Sequence, residues 1–282
     1  MGASTRLIAF AGALLVALAA GAGLGAAVGP DVTRTEAEAP APIGEGTTAA
    51  AEGYRLVPER PTLEAGGGSF HFAIEDQDGE PARRYTDVHE RDLHLILVNR
   101  ELTAFHHLHP TLAADGTWSI DVPPLDPGSY RAVADFQIAG GPRLALGVDL
   151  SVAGSYQPDT RHGPASESHV DGYDVALATE GDGGTVTARL TVRRDGAAVD
   201  LEPYLGARGH LVAMRSGDLA YAHVHPVEDH GDAAAGTVTF EAELPSAGRY
   251  ALFVDFQHDG EVHTASFTLD QGAVSGAGEM EH

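Results

Sequence analysis

His94-Leu95-Ile96-Leu97-Val98-Asn99-Arg100-Glu101-Leu102-Thr103-Ala104-Phe105-His106-His107-Leu108-His109-Pro110 recurs without a gap as His210-Leu211-Val212-Ala213-Met214-Arg215-Ser216-Gly217-Asp218-Leu219-Ala220-Tyr221-Ala222-His223-Val224-His225-Pro226. Each stretch is an apolar run, a polar break, a second segment with an aromatic residue, and a proline. That is the pattern of a strand, a turn and a returning strand, ended where proline cannot continue a central ladder. Leu93 to Val98 is almost continuously apolar, as expected of a strand covered on both faces.

Working outward, the repeat extends. Pro127-Gly128-Ser129-Tyr130 and Ala134-Asp135-Phe136-Gln137 correspond to Ala247-Gly248-Arg249-Tyr250 and Val254-Asp255-Phe256-Gln257. Each copy spans about a hundred residues, the size of one sandwich domain. Phe70 to Ile74 and Ser129 to Phe136 alternate with the period of a strand, and Pro and Gly punctuate the runs. The expected fold class is all-β: two tandem antiparallel β-sandwiches, immunoglobulin-like or cupredoxin-like, after an N-terminal transmembrane helix. The expected boundaries are residues 1–29 for the membrane anchor or signal segment and 30–53 for a disordered tether. Residues 54–153 form the first sandwich, 154–172 the junction, 173–270 the second sandwich and 271–282 a flexible tail.

The hairpins also place the chemistry. A turn at Ser216-Gly217 pairs Met214 with Leu219, Val212 with Tyr221 and His210 with His223; one at Arg100-Glu101 sets His94 opposite His107. Opposed residues share a face, and so does a residue two further along, which adds His225 and His109. Any even-length loop about the same centre keeps that register. Three imidazoles in one patch suit Zn(II), Cu(II), Ni(II) or Co(II). The candidate ligands are His94, His107 and His109 in the first copy and His210, His223 and His225 in the second. His263, read as the counterpart of Leu146, is expected to join the second set. Asp135, Gln137, Asp255, Gln257 and His258 are supplementary candidates. A bland reading competes: paired histidines on repeated strands can persist because they bond backbone groups at a sheet rim.

Composition narrows the function. The chain has 282 residues, no cysteine, and 41 acidic against 17 basic residues, for a formal charge of -24. Such a surface repels nucleic acid and anionic lipid. Without cysteine there are no disulfides, thiolate metal sites or blue-copper centre. No nucleophile elbow, phosphate loop or His-Glu-x-x-His helix occurs, so the expectation is not an enzyme. Leu7 to Val28 carries no charge and follows Arg6. It is long enough to cross a bilayer, with both domains then outside the cell membrane. Cleavage at Ala17-Leu18-Ala19 or Ala20-Gly21-Ala22 would instead give a secreted protein.

The segments Gly209 to Tyr221, His223-Val224-His225-Pro226 and Gly260-Glu261-Val262-His263-Thr264-Ala265 resemble a group of secreted or membrane-anchored actinobacterial proteins. These are often labelled heavy-metal-binding domain or secreted proteins. The resemblance covers most of the chain after the tether. It implies a cell-envelope location and a link to copper or other heavy-metal handling, and brings no ligand set with it. The leading expectation is therefore an extracytoplasmic metal-binding module with one histidine cluster per domain, its partners being the membrane, a divalent ion and an envelope protein. The alternative is a metal-free immunoglobulin-like interaction module on a membrane stalk.

Overall fold

A computed structural model describes residues 41–158, 163, 165–181, 184–222, 224–227, 234–244 and 246–272. The run Leu7 to Val28 lies outside the described residues, as do residues 273–282. Among the described residues there is no helix long and apolar enough to cross a membrane.

The described chain is all β, as the alternation implied. The first copy holds β1 (Ala50–Ala51), β2 (Tyr54–Pro58), β3 (Thr62–Leu63), β4 (Gly68–Glu75), β5 (Tyr85–Thr86) and β6 (Leu93–Asn99). It continues with β7 (Phe105–Leu108), β8 (Thr111–Leu112), β9 (Thr117–Val122), β10 (Gly128–Ile138) and β11 (Arg143–Val152). The second holds β12 (Glu167–Val170), β13 (Tyr173–Glu180), β14 (Thr185–Arg194), β15 (Ala197–Ala198) and β16 (His210–Arg215). It ends with β17 (Tyr221–Ala222), β18 (Val224–Pro226), β19 (Thr237–Glu243), β20 (Gly248–His258) and β21 (Glu261–Gln271).

Each copy is a pair of sheets. In the first, β1-β2-β4-β9-β8 faces β3-β11-β10-β6-β7; in the second, β12-β13-β14-β19-β18 faces β17-β16-β20-β21. In both copies a tyrosine hydroxyl reaches back four residues to a backbone carbonyl, Tyr130 to Asp126 and Tyr250 to Ser246, each at 3.0 Å. That corner is a device of immunoglobulin-like sandwiches.

The two copies do not hang as beads. Ile96, Val98, Leu102, Val133 and Ala145 of the first form a core with Val212, Met214, Leu219, Tyr221, Ala251 and Phe253 of the second. Phe105 stacks on Phe253 with centroids 4.1 Å apart and planes 7° from parallel. The inner sheets thus meet back to back, which explains the sequence pattern. β6 is buried at every position from Leu93 to Val98, whereas β13, on an outer sheet, alternates buried and exposed from Tyr173 to Ala178.

Three expectations change here. Residues 43–48 are not tether: Ile43 bridges Leu144, and the Gly46 and Gly147 amides bond the Ala145 and Thr48 carbonyls. A β-carbon on Gly147 would sit 1.8 Å from the Gly46 carbonyl oxygen, so this close approach needs a glycine. Within the expected junction, Glu167–Val170 pair with β13. Finally, both hairpin turns are longer than counted. Val98 faces Phe105 and Met214 faces Tyr221, a shift of two residues in each copy. A shift of two keeps every side chain on its expected face.

Candidate metal centre

His94 stands on β6 just after a tight turn, Val88 to Arg91, in which His89 and Glu90 have φ of 48° and 62°. Its Nε2–H donates to the Val88 carbonyl at 2.8 Å. The second copy repeats this device six residues before His210. Tyr204 and Ala207 close a turn with positive φ at Leu205 and Gly206, and His210 Nε2 donates to the Tyr204 carbonyl at 2.9 Å. A carbonyl can only accept, so each of these rings carries its proton on Nε2 and presents Nδ1 as a lone pair.

The first copy builds a cluster on this foundation. His94 Nδ1 lies 2.9 Å from His107 Nε2 and 3.2 Å from His109 Nε2. Ring centroids are 5.1, 5.0 and 4.9 Å apart for the pairs 94–107, 94–109 and 107–109. This is the one group of three or more ligand-type side chains among the described residues whose donor atoms all lie within 4.8 Å of one another. A tetrahedral ion holding imidazole nitrogens at about 2.0–2.1 Å sets them roughly 3.3 Å apart, close to what these rings show.

The far side of His107 decides its tautomer. Its Nδ1–H donates to Asp255 Oδ2 at 2.8 Å, across the contact between the copies. Asp255 is itself anchored by the Thr264 hydroxyl at 2.6 Å. With Nδ1 protonated, the His107 lone pair is on Nε2 and points at that of His94. Burial, then His107, hold the His94 ring well below the usual imidazole range. Burial, then His107 and Arg91, push His109 down to about 3. Near neutral pH both rings are uncharged.

The second set is described only at His210. His223 lies outside the described residues, and so does the side chain of His225. Where the first copy's strand stays in its sheet to Leu108, the second copy's leaves it, and β18 pairs with β19, setting His225 opposite Glu241. The hairpin counting that kept His225 on the strand paired with β16 is corrected, at the level of the backbone, by that crossover. His210 itself turns toward the first copy, its ring 6.4 Å from His107 and 5.5 Å from His89. Burial lowers its pKa.

His263 is also displaced from its expected patch. It pairs with Phe256, whereas His210 pairs with Asp255 one residue away, so the two point to opposite faces. His263 packs on Tyr173 and bonds Asp171 Oδ2 at 2.8 Å. The register Phe136–Leu144 makes Leu144, not Leu146, its counterpart. Of the supplementary candidates, Asp135 is held by Arg143 through two bonds at 3.1 and 3.0 Å and by the Tyr221 hydroxyl at 2.9 Å. His258 bonds the Tyr173 hydroxyl at 2.7 Å. Gln137 and Gln257 lie in register with Arg143 and Val262.

Sequence reading missed His89, whose ring lies 6.0 Å from that of His94, and the crossing of Asp255 to His107. The two turns align at the same spacing before His94 and His210, but their residues differ, so only that spacing could have pointed to them.

No curated protein matches the chain significantly. Solved structures match weakly. A DUF4426 family protein from Pseudomonas aeruginosa is 12% identical over 37% of this chain and 94% of its own, with a TM-score of 0.29. Domains 4 and 5 of the S-layer protein SbsC are 13% identical over 78% and 98%, with a TM-score of 0.21. Invasin, a bacterial integrin-binding protein, is 14% identical over 78% of this chain and 39% of its own, with a TM-score of 0.25. A family model matches twice, over residues 49–153 and 168–273, and covers most of the chain; the protein belongs to the family described as domain of unknown function DUF8832, in tandem copies.

Proposed function

We propose that this protein is an extracytoplasmic metal-binding module whose first copy holds a borderline divalent ion, Zn(II) or Cu(II), through His94 Nδ1, His107 Nε2 and His109 Nε2. One observation carries the reading. His94 and His107 each spend their ring proton on a far-side acceptor, the Val88 carbonyl and Asp255, which leaves two lone pairs facing at 2.9 Å. A hydrogen bond between them needs an extra proton, which burial disfavours at His94. A cation resolves the repulsion, and metal-bound histidines characteristically donate their other ring N–H to a carboxylate or carbonyl. An all-nitrogen donor set without sulfur selects neither a thiolate-zinc nor a Cu(I) site.

The uncharged run Leu7 to Val28 supports placing the module outside the cell membrane, on an anchor or after cleavage of a signal. Metal analysis of untagged protein, followed by titration calorimetry with Zn(II) and Cu(II), tests the function. The expected result is one ion taken up at the first copy's site and lost in His109→Ala. Absence of specific uptake by the native protein would sink the reading and favour the metal-free interaction module.

A further inference from the structure

Asp255 belongs to the second copy and His107 to the first, yet a buried hydrogen bond of 2.8 Å joins them. We propose that Asp255 is a positioning residue for the metal site of the other copy, so that loading the ion and docking the two copies are a single linked equilibrium. The inference rests on the three-histidine reading and goes beyond it, because it assigns the site to the pair of domains.

The geometry argues as follows. A histidine ligand must present one nitrogen as a lone pair, and the bond made by its other nitrogen selects which. For His94 that bond is local, to Val88 in the same copy. For His107 it is supplied by Asp255 of β20, buried to 3% exposure in the contact. Asp255 is fixed in turn by Thr264 of β21. Undocking would remove the acceptor and free His107 to take either tautomer, so the undocked first copy would hold the ion less tightly. By linkage the ion must favour the docked form by the same factor. The second copy also walls the site, since Tyr204 lies 6.5 Å from His109 by ring centroid.

The test uses the full chain and zinc alone. Asp255→Asn should weaken zinc binding by about 10–100-fold, the usual cost of losing an outer-sphere partner. Asp255→Glu should recover part of it. Long-range proton–nitrogen NMR of the zinc-free protein should show His107 protonated at Nδ1 in the wild type and as a tautomer mixture in Asp255→Asn, a change that a merely structural residue would not produce. Should Asp255→Asn fail to fold, Thr264→Val decides by the same two readouts, with a smaller loss. Wild-type zinc uptake with unchanged affinity and unchanged tautomer in the variant overturns this inference and leaves the three-histidine site standing. No zinc uptake by the wild type overturns both.

Discussion

In the first copy the strand returning from the hairpin stays with its own sheet to Leu108, and the chain carries His107 and His109 past His94. In the second, the strand leaves after Ala222 and crosses to the opposite sheet at Val224. Both copies keep the turn that anchors the first histidine, through Val88 and through Tyr204. Both keep an aspartate at the same place on the inner face, in register with that histidine: His94 with Asp135 and His210 with Asp255. Among the described residues, what differs is what reaches each aspartate. Asp135 pairs with Arg143 and accepts from the Tyr221 hydroxyl, whereas Asp255 accepts from a histidine of the other copy and from Thr264. On the proposed reading, a duplicated domain has divided its labour: the first copy's histidines would hold the ion, and the second copy's carboxylate would orient one of them.

The largest test of that division is at Arg143. Its guanidinium and the Asp135 carboxylate are 1% and 2% exposed, so Arg143→Met strands a buried charge and should cost about 3–5 kcal/mol in denaturant unfolding. The equivalent position in the second copy is Val262, 44% exposed, where Val262→Met should stay within about 0.5 kcal/mol. Equal costs at the two positions would break the comparison.

Next comes metal affinity. His107→Ala removes a ligand and should weaken zinc binding on the order of 100-fold or more in calorimetry, beyond the loss of an outer-sphere partner. His210→Ala, which leaves all three proposed nitrogens in place, should weaken it by less than about 10-fold. If His210→Ala is the more damaging change, the ion sits in the second copy and the assignment is reversed.

Tyr221→Phe sharpens the contrast on a smaller scale. The hydroxyl is buried, and desolvation followed by Asp135 holds it well above the ordinary phenol range, so it stays a donor. Its loss should cost about 1.5 kcal/mol of stability, because Arg143 still pairs with Asp135. A neutral result would mean that the carboxylate needs no partner from the second copy.

The smallest effect is on pH dependence. His109 is neutral in the folded state down to about 3, while an unfolded histidine takes up its proton near 6.5. Between those values the unfolded chain binds more protons. The zinc-free protein is therefore fully stable with respect to this group above pH 6.5 and loses stability as pH falls toward 3. His109→Gln should flatten that decline by at most about 1 kcal/mol per pH unit, a slope reduced by partial solvent screening. Parallel melting-temperature profiles for the two proteins would show that His109 is not held neutral.

Much of this was legible in the repeat. The ungapped match of His94–Pro110 with His210–Pro226 carried the duplication and the all-β class, and parity alone put His94, His107 and His109 on one face. The count of the turn was off by two residues, because four-residue loops replaced two-residue ones. The side-chain period of a strand is two, so the error left the faces unchanged. His263 was misjudged for the converse reason. Its register against Phe256 is odd relative to His210 and Asp255, and one residue is enough to turn a side chain into the other face.

The sequence by itself determined the local matters: where strands run, which residues share a face, and that imidazole nitrogen without sulfur dominates the candidate site. The continuous burial of Leu93 to Val98 even announced a strand covered twice. What covers it was decided only by the tertiary structure, because the docking of the two copies depends on the summed shape of two sheet faces. The same holds for the partners of Asp135 and Asp255. Both lie at equivalent places in the repeat and read alike, yet one meets an arginine and the other a histidine 148 positions away. Hydrogen bonds of that kind act over a few ångströms of space, and a separation along the chain carries no record of them.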